Sequence, residues 1–173
     1  MDYLLEGEET ARLLFRKVLP SDYDSWLPFH QEPKSTQYWD GTQPNPEAAC
    51  EEQFTNIFLR HKNKTGGMNA LILKEHNVLV GLCGLLVQEV DGSKELEIGY
   101  SILPKYWGLG FATEAAMKYK EVTKQNKWAS HLISIIQIDN SPSQRVAEKN
   151  GMKIEKTTSY KNNTVHIFRI DLA

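Results

Sequence analysis

Glu97-Ile98-Gly99-Tyr100-Ser101-Ile102-Leu103-Pro104-Lys105-Tyr106-Trp107-Gly108-Leu109-Gly110-Phe111-Ala112-Thr113-Glu114-Ala115 is the stretch that decides the fold. Its first half belongs to Lys94–Leu103, where Leu96, Ile98, Tyr100 and Ile102 alternate with Glu95, Glu97, Gly99 and Ser101. A period of two marks a half-buried strand, and Pro104 ends it. Past Gly108 and Gly110 the period changes: Ala112, Ala115, Ala116, Tyr119 and Val122 recur at helical spacing. A strand, a glycine-rich turn and a helix follow one another. Glycine lets backbone N–H groups approach a ligand with no Cβ in the way. A helix start presents free N–H donors and about half a positive charge to a phosphate. The segment reads as a pyrophosphate cradle.

Working outward, Val78–Glu89 precedes it across Asp91-Gly92, a strong hairpin signal. Met68–Lys74 is a further strand, separated by the polar turn Glu75-His76-Asn77. Arg12–Leu19 reads as the first strand, and Ser21 and Asp22 as the N-cap of a short helix reaching about Phe29. A loop with Pro33, Gly41 and Pro44 carries Tyr38 and Trp39. Pro46 then opens a helix to about Lys62 with Phe54, Ile57 and Phe58 as its buried stripe, and Gly66-Gly67 ends that region. On the other side, Leu132–Ile138 is a buried strand and the following helix stops at Asn150-Gly151. Lys153–Tyr160 and Thr164–Leu172 pair around Lys161-Asn162-Asn163. The order β-α-α-β-β-β-α-β-α-β-β predicts an α/β fold: a mixed, mostly antiparallel twisted sheet with helices on both faces.

Composition limits the partners. The 173 residues are expected to form a single domain, 1–173, with 40% hydrophobic and 24% charged residues and a net charge of −2. That balance gives no basic footprint for nucleic acid and no polybasic membrane signal. Met1–Thr10 carries Asp2, Glu6, Glu8 and Glu9, unlike a secretory leader, and the longest apolar run, Val78–Val87, is too short to span a bilayer as a helix. A cytoplasmic protein is expected. Cys50 and Cys83 and the scattered histidines offer no metal-ligand spacing, so no metal is expected. Monomer and homodimer are both left open.

Three other readings compete for the glycine turn. A Walker loop is excluded, because Phe111-Ala112-Thr113 follows Gly110 where Lys-Ser/Thr is needed. A dinucleotide fingerprint lacks its third glycine at Thr113 and would open a βαβ unit rather than follow antiparallel strands. Glycines used only for packing a helix start are the third.

Lys105-x-x-Gly108-x-Gly110 resembles the acetyl-CoA motif of the GNAT superfamily of N-acetyltransferases, Arg/Gln-x-x-Gly-x-Gly/Ala. Tyr106-Trp107-Gly108-Leu109-Gly110-Phe111-Ala112-Thr113-Glu114-Ala115 is similar to the branch that contains the ribosomal-protein N-terminal acetyltransferases. Thr10-Ala11-Arg12-Leu13-Leu14-Phe15-Arg16 stands where that branch has Thr-x-Arg-Leu-x-Leu-Arg. Asn140-Ser141-Pro142-Ser143 and Lys149-Asn150-Gly151-Met152 match its Asn-x-x-Ser and Lys-x-Gly-Phe. The resemblance runs from about Thr10 to Leu172. It implies acetyl-CoA as co-substrate, with the pantetheine arm along the backbone of Ile102 and Leu103 and the pyrophosphate on Gly108, Leu109, Gly110, Phe111, Ala112 and Thr113 beside Lys105. Asn140 and Ser143 would line the thiol end. The acceptor would be an amine, either a protein N-terminus or a small molecule.

Acetyl transfer to an amine needs a base for the amine, stabilisation of the carbonyl oxygen and protonation of the departing thiolate. Glu97, on the polar side of its strand, is the candidate base, with Glu95 the weaker alternative. Many relatives use a Tyr seven residues after the Asn as acid, and Ala147 stands there. Ser143 is the substitute that the resemblance to the ribosomal-protein branch suggests. Ser141 and Gln144 have capping-box spacing around Pro142, which would leave the Ser143 hydroxyl free. The resemblance also implies that Phe29, His30, Tyr38 and Trp39 wall the acceptor site, since the matching family region lies over the acceptor cleft. The missing Tyr keeps a second function open, a non-catalytic module that binds and senses acyl-CoA.

Overall fold

A computed structural model describes residues 1–173. The elements are β1 (Leu13–Lys17), α1 (Tyr23–Gln31), α2 (Pro46–Asn63), β2 (Gly66–Leu73), β3 (Val78–Val90), β4 (Ser93–Ile102), α3 (Phe111–Gln125), β5 (His131–Gln137), α4 (Ser141–Lys149), β6 (Lys153–Tyr160) and β7 (Asn163–Asp171). Their order is the expected one. All seven strands form one sheet in the order β1-β2-β3-β4-β5-β7-β6. Every neighbouring pair is antiparallel except β4–β5, the two strands that α3 joins.

Helices cover both faces. Phe111, Ala115, Tyr119 and Val122 of α3 pack with Leu13, Phe15, Leu85 and Ile98 on one side. Trp26, Phe29, Cys50, Phe54 and Ile57 of α1 and α2 pack with Ala70, Leu79 and Leu82 on the other. Fully burying a large apolar side chain is worth about 1.5–3 kcal/mol, so each stripe fastens its helix to the sheet. Cys50 and Cys83 are buried and unpaired.

Two local expectations change. Asp22 holds the N-cap position of α1, as expected, but its side chain makes no capping bond. Its carboxylate instead accepts from the Leu19 amide at 2.8 Å and from both terminal nitrogens of Arg16 at 2.8 Å, closing a tight turn ahead of the helix. At the far end of α2, Lys64 in the left-handed conformation (φ 55°) stops the helix, and Gly66-Gly67 open β2 instead.

The feature that positions the site is a split in the sheet. β4 follows β3 in unbroken register from Ser93 to Ile102. Against β5 it makes a single parallel bridge, Glu97–Ile133. Beyond that bridge β5 pairs only with β7. A wedge therefore opens between β4 and β5 from Gly99 onward, at the end that runs into the glycine turn.

Candidate active site

The glycine turn is built to leave its amides free. Gly108 (φ 77°) and Gly110 (φ 84°) both lie in the left-handed region that glycine alone enters without strain. The amides of Gly108 through Thr113 have no acceptor within the protein, and the first helical bond runs from the Glu114 amide to the Gly110 carbonyl at 3.0 Å. A Cβ placed on Gly108 would meet nothing within 4 Å. Free donors, open space and the positive end of the fifteen-residue helix α3 coincide, and these residues fit a pyrophosphate. Leu109 and Lys105 are exposed beside the turn, while the Phe111 side chain is buried in the core. Arg12 braces the turn from β1's entry. Its Nη1 donates to the Leu109 carbonyl at 2.9 Å, its Nε to Glu114 at 2.8 Å, and its guanidinium lies 4.3 Å from the Phe111 ring centre.

The edge of β4 along the wedge differs from expectation at one of two positions. The Leu103 amide donates to the Val80 carbonyl at 2.9 Å and the Leu103 carbonyl accepts from Tyr106 at 2.9 Å. Leu103 has no backbone group to offer. Because bonding alternates along an antiparallel strand, Tyr100 and Ile102 are the residues whose backbone faces the wedge. Ile102 keeps its amide, but its carbonyl accepts from the Trp107 indole at 2.7 Å.

A cavity of about 560 Å³ lies where the wedge meets α2 and the 38–43 loop. Glu97 lies within it. Its Oε2 accepts from Gln88 Nε2 at 2.8 Å. Enclosure by protein raises its pKa to about 7, an effect larger than the opposing pull of the Gln88 hydrogen bond and the positive charges of Arg60 and Lys161. Glu95, two residues earlier on the same strand face, is bonded to His131 Nε2 at 2.6 Å and does not line the cavity.

Asn140 and Ser143 reach the same cavity from the start of α4. The capping assignment changes here. Asn140, not Ser141, is the N-cap, its Oδ1 accepting from the Ser143 amide at 3.3 Å. Gln144 donates to the Ile138 carbonyl at 2.8 Å instead of closing a box with Ser141. The Ser143 hydroxyl still has no partner in the protein. Its carbonyl accepts from the Tyr100 hydroxyl at 2.7 Å, which ties β4 to α4 at the mouth of the wedge. Ala147 is buried against the α3 side and presents nothing to the cavity.

His30, Tyr38 and Trp39 line the cavity; Phe29 does not. The Phe29 ring stacks on Trp26 at 4.6 Å inside the core, with Trp39 packed over it at 5.5 Å. Gln53 Oε1 accepts from Trp26 Nε1 at 2.6 Å and lies 2.7 Å from His30 Nε2, which sets the proton of His30 on Nε2. Burial pushes the His30 pKa down and leaves Nδ1 an unpaired acceptor. The loop is held over the cavity by Asn163 donating to the Tyr38 carbonyl and Asn162 to Asp40. No group of three or more His, Cys, Asp or Glu side chains is placed to share a metal ion.

Sequence reading passes over Arg60, Gln88 and Tyr100. Tyr100 sits on the apolar side of an alternating strand and reads as core. Gln88 is the first polar residue after the apolar run of β3, and that position is its only signal.

The pattern of the Acetyltransferase (GNAT) domain matches residues 12–153. The chain is 29% identical to the Bacillus subtilis N-acetyltransferase YnaD over 150 residues, 84% of this chain and 82% of that one. Identity to the Bacillus subtilis protein YkkB is 30% over 95 residues, and the match spans 55% of each chain. Among solved structures, a GNAT-family acetyltransferase from Bacillus anthracis superposes with a TM-score of 0.74 at 26% identity, over 95% of this chain and 97% of that one. The ribosomal L7/L12 α-N-protein acetyltransferase in complex with coenzyme A shares the fold, with a TM-score of 0.73 at 14% identity over 95% and 97%.

Proposed function

Because this chain belongs to the GNAT acetyltransferase family, we propose that it moves an acetyl group from acetyl-CoA to a primary amine by direct attack, with Glu97 as the base. The observation that carries this reading is the enclosed carboxylate of Glu97, poised near neutral pH in a cavity continuous with the β4–β5 wedge. A base whose pKa lies near the working pH is ionised often enough to act and basic enough to take a proton.

In this reading the amides of Gly108 to Thr113 hold the pyrophosphate, and the Tyr100 and Ile102 backbone lies along the pantetheine arm. Glu97 takes a proton from the acceptor ammonium, directly or through one water; the freed lone pair forms the new C–N bond as the C–S bond breaks, and the nitrogen's second proton passes to solvent as the thiolate leaves. The Ser143 hydroxyl, at the cavity end of α4, donates to the sulfur as negative charge builds there. His30, Tyr38 and Trp39 bound the acceptor. The cavity is open and half-polar, which favours the end of a chain, such as a protein N-terminus, over a wholly enclosed small molecule.

Thiol release from acetyl-CoA, measured over a panel of N-terminal peptides, polyamines, amino acids and aminoglycosides, tests the reading. Turnover with at least one peptide, falling about 10²–10⁴-fold in Glu97→Gln with acetyl-CoA affinity kept, is the expected result. Binding of acetyl-CoA without turnover on any amine would replace the enzyme with a sensor.

A further inference from the structure

Arg60, near the end of α2, sends its guanidinium across to the sheet. Nη1 donates to the Thr65 carbonyl at 3.0 Å and to the Val87 carbonyl at 3.2 Å, and Nη2 donates to Gln88 Oε1 at 3.0 Å. Three acceptors fix a planar, permanently charged group. Gln88 then has no freedom in its amide. Turned the other way, its NH₂ would face the guanidinium and its oxygen would face the Glu97 carboxylate, placing donor on donor and acceptor on acceptor. With Oε1 held by Arg60, Nε2 must point to Glu97, where it donates to Oε2 at 2.8 Å. The β3–β4 register makes this contact possible. Gln88 lies opposite Glu95 and Leu86 opposite Glu97, so Gln88 and Glu97 are diagonal neighbours on one face, within reach of long side chains.

We propose that Arg60 and Gln88 are positioning residues for Glu97: the amide holds Oε2, leaves Oε1 as the oxygen that meets the acceptor, and passes on the influence of a cation kept one side chain away. This rests on Glu97 being the base. The spacing is the point of the device. A guanidinium in direct contact would pair with the carboxylate and quench it as a base, whereas no cation would leave an enclosed carboxyl protonated at neutral pH. Gln88 supplies an intermediate degree of stabilisation. Lys161 and the Ile135 backbone pull the Glu97 pKa the same way, each less than Gln88 does. Lys161 stands on the β6–β7 turn, Tyr160 at the end of β6 and Tyr100 on β4, while Glu52 of α2 and Asp40 of the loop line the same cavity with negative charge.

The Glu97 carboxyl can be titrated by ¹³C NMR in the intact protein without any acceptor, its signal being assigned by its loss in Glu97→Gln. Gln88→Met keeps the length and removes the donor; Arg60→Met removes the cation; Arg60→Lys restores it. The midpoint is expected to rise by roughly one pH unit in both methionine variants and to return toward the parent in Arg60→Lys. The alkaline-rising limb of thiol release with acetyl-CoA and the best peptide of the panel should move with it. Arg60 also bonds two backbone carbonyls, so Gln88→Met is the decisive variant if Arg60→Met fails to fold. An unmoved midpoint in folded Gln88→Met would overturn the relay even if Glu97 is the base. Full turnover with an unchanged pH profile in Glu97→Gln would remove the base itself, and the relay's catalytic meaning with it.

Discussion

Arg12 Nη1 donates to the Leu109 carbonyl at 2.9 Å, joining the entry of the first strand to the middle of the glycine turn ninety-seven residues away. A carbonyl held from behind turns the opposite face of its peptides, with their free amides, toward solvent. Arg12 is thus expected to act on acetyl-CoA affinity without touching the reacting atoms. Arg12→Ala should weaken acetyl-CoA binding several-fold in calorimetry while costing the fold only about 1 kcal/mol, since the side chain is 43% exposed and solvent screens it. Unchanged affinity would mean that the turn holds its shape alone.

Gly108 allows charge to be separated from backbone strain. Asn and Asp both tolerate the left-handed region better than other side chains, and a Cβ at this position would meet no protein atom within 4 Å. Gly108→Asn should therefore carry only the conformational cost. Gly108→Asp adds a negative charge beside the free amides and should lose acetyl-CoA binding by a further tenfold or more, with the difference shrinking at high salt. Two variants that bind alike would place the pyrophosphate elsewhere.

The fold was legible because its signals are periodic: the alternation of Leu96, Ile98, Tyr100 and Ile102 and the helical stripe through Ala115, Tyr119 and Val122 each average over many residues. The glycine turn was legible because its constraint is on the backbone, and glycine meets it without strain. The site was harder where a role depends on which way one group points. Leu103 and Ile102 are alike as letters, and only the Leu103–Val80 bond shows which of them faces the wedge. Phe29 and Trp39 are both aromatic residues near a loop, yet Trp26 draws one into the core and leaves the other at the cavity. Arg60, Gln88 and Glu97 come from three elements, and no spacing in the chain announces that they meet.

Glu97 should cost the fold stability at the pH where it serves catalysis. Its pKa is about 7 folded against 4.5 as the ordinary value. Below pH 4.5 both states hold the proton and the residue is neutral to stability. Between 4.5 and 7 the unfolded chain gives up its proton while the folded one keeps it, so stability falls as pH rises. Above 7 the whole penalty stands, at most about 3 kcal/mol. Glu97→Gln removes it. The variant should unfold at a higher temperature than the parent at pH 8 and near the parent's temperature at pH 4.5. An equal gain at both would mean that relief of packing, not of charge, is responsible.

Asn140 and Ser143 divide capping and chemistry between them in a way that a three-variant comparison can expose. Asn140 Oδ1 satisfies the Ser143 amide, one of the four donors that a helix start leaves unpaired, so Asn140→Ala should cost about 1 kcal/mol of stability. Ser141 makes no capping bond, and Ser141→Ala should be silent in both stability and turnover. Ser143 has a free hydroxyl in the cavity and a carbonyl already held by Tyr100 at 2.7 Å. Removing the hydroxyl leaves the helix anchored, so Ser143→Ala should keep its melting temperature. A hydrogen bond to charge that develops only in the transition state is worth up to roughly 3 kcal/mol, so turnover should fall about tenfold to a hundredfold. The loss should shrink when the thioester is replaced by one with a more acidic thiol, because a better leaving group needs less help. A Ser143→Ala enzyme that turns over like the parent with both thioesters would show that the thiolate departs unaided, and a Ser141→Ala variant that melts early would return the cap to Ser141.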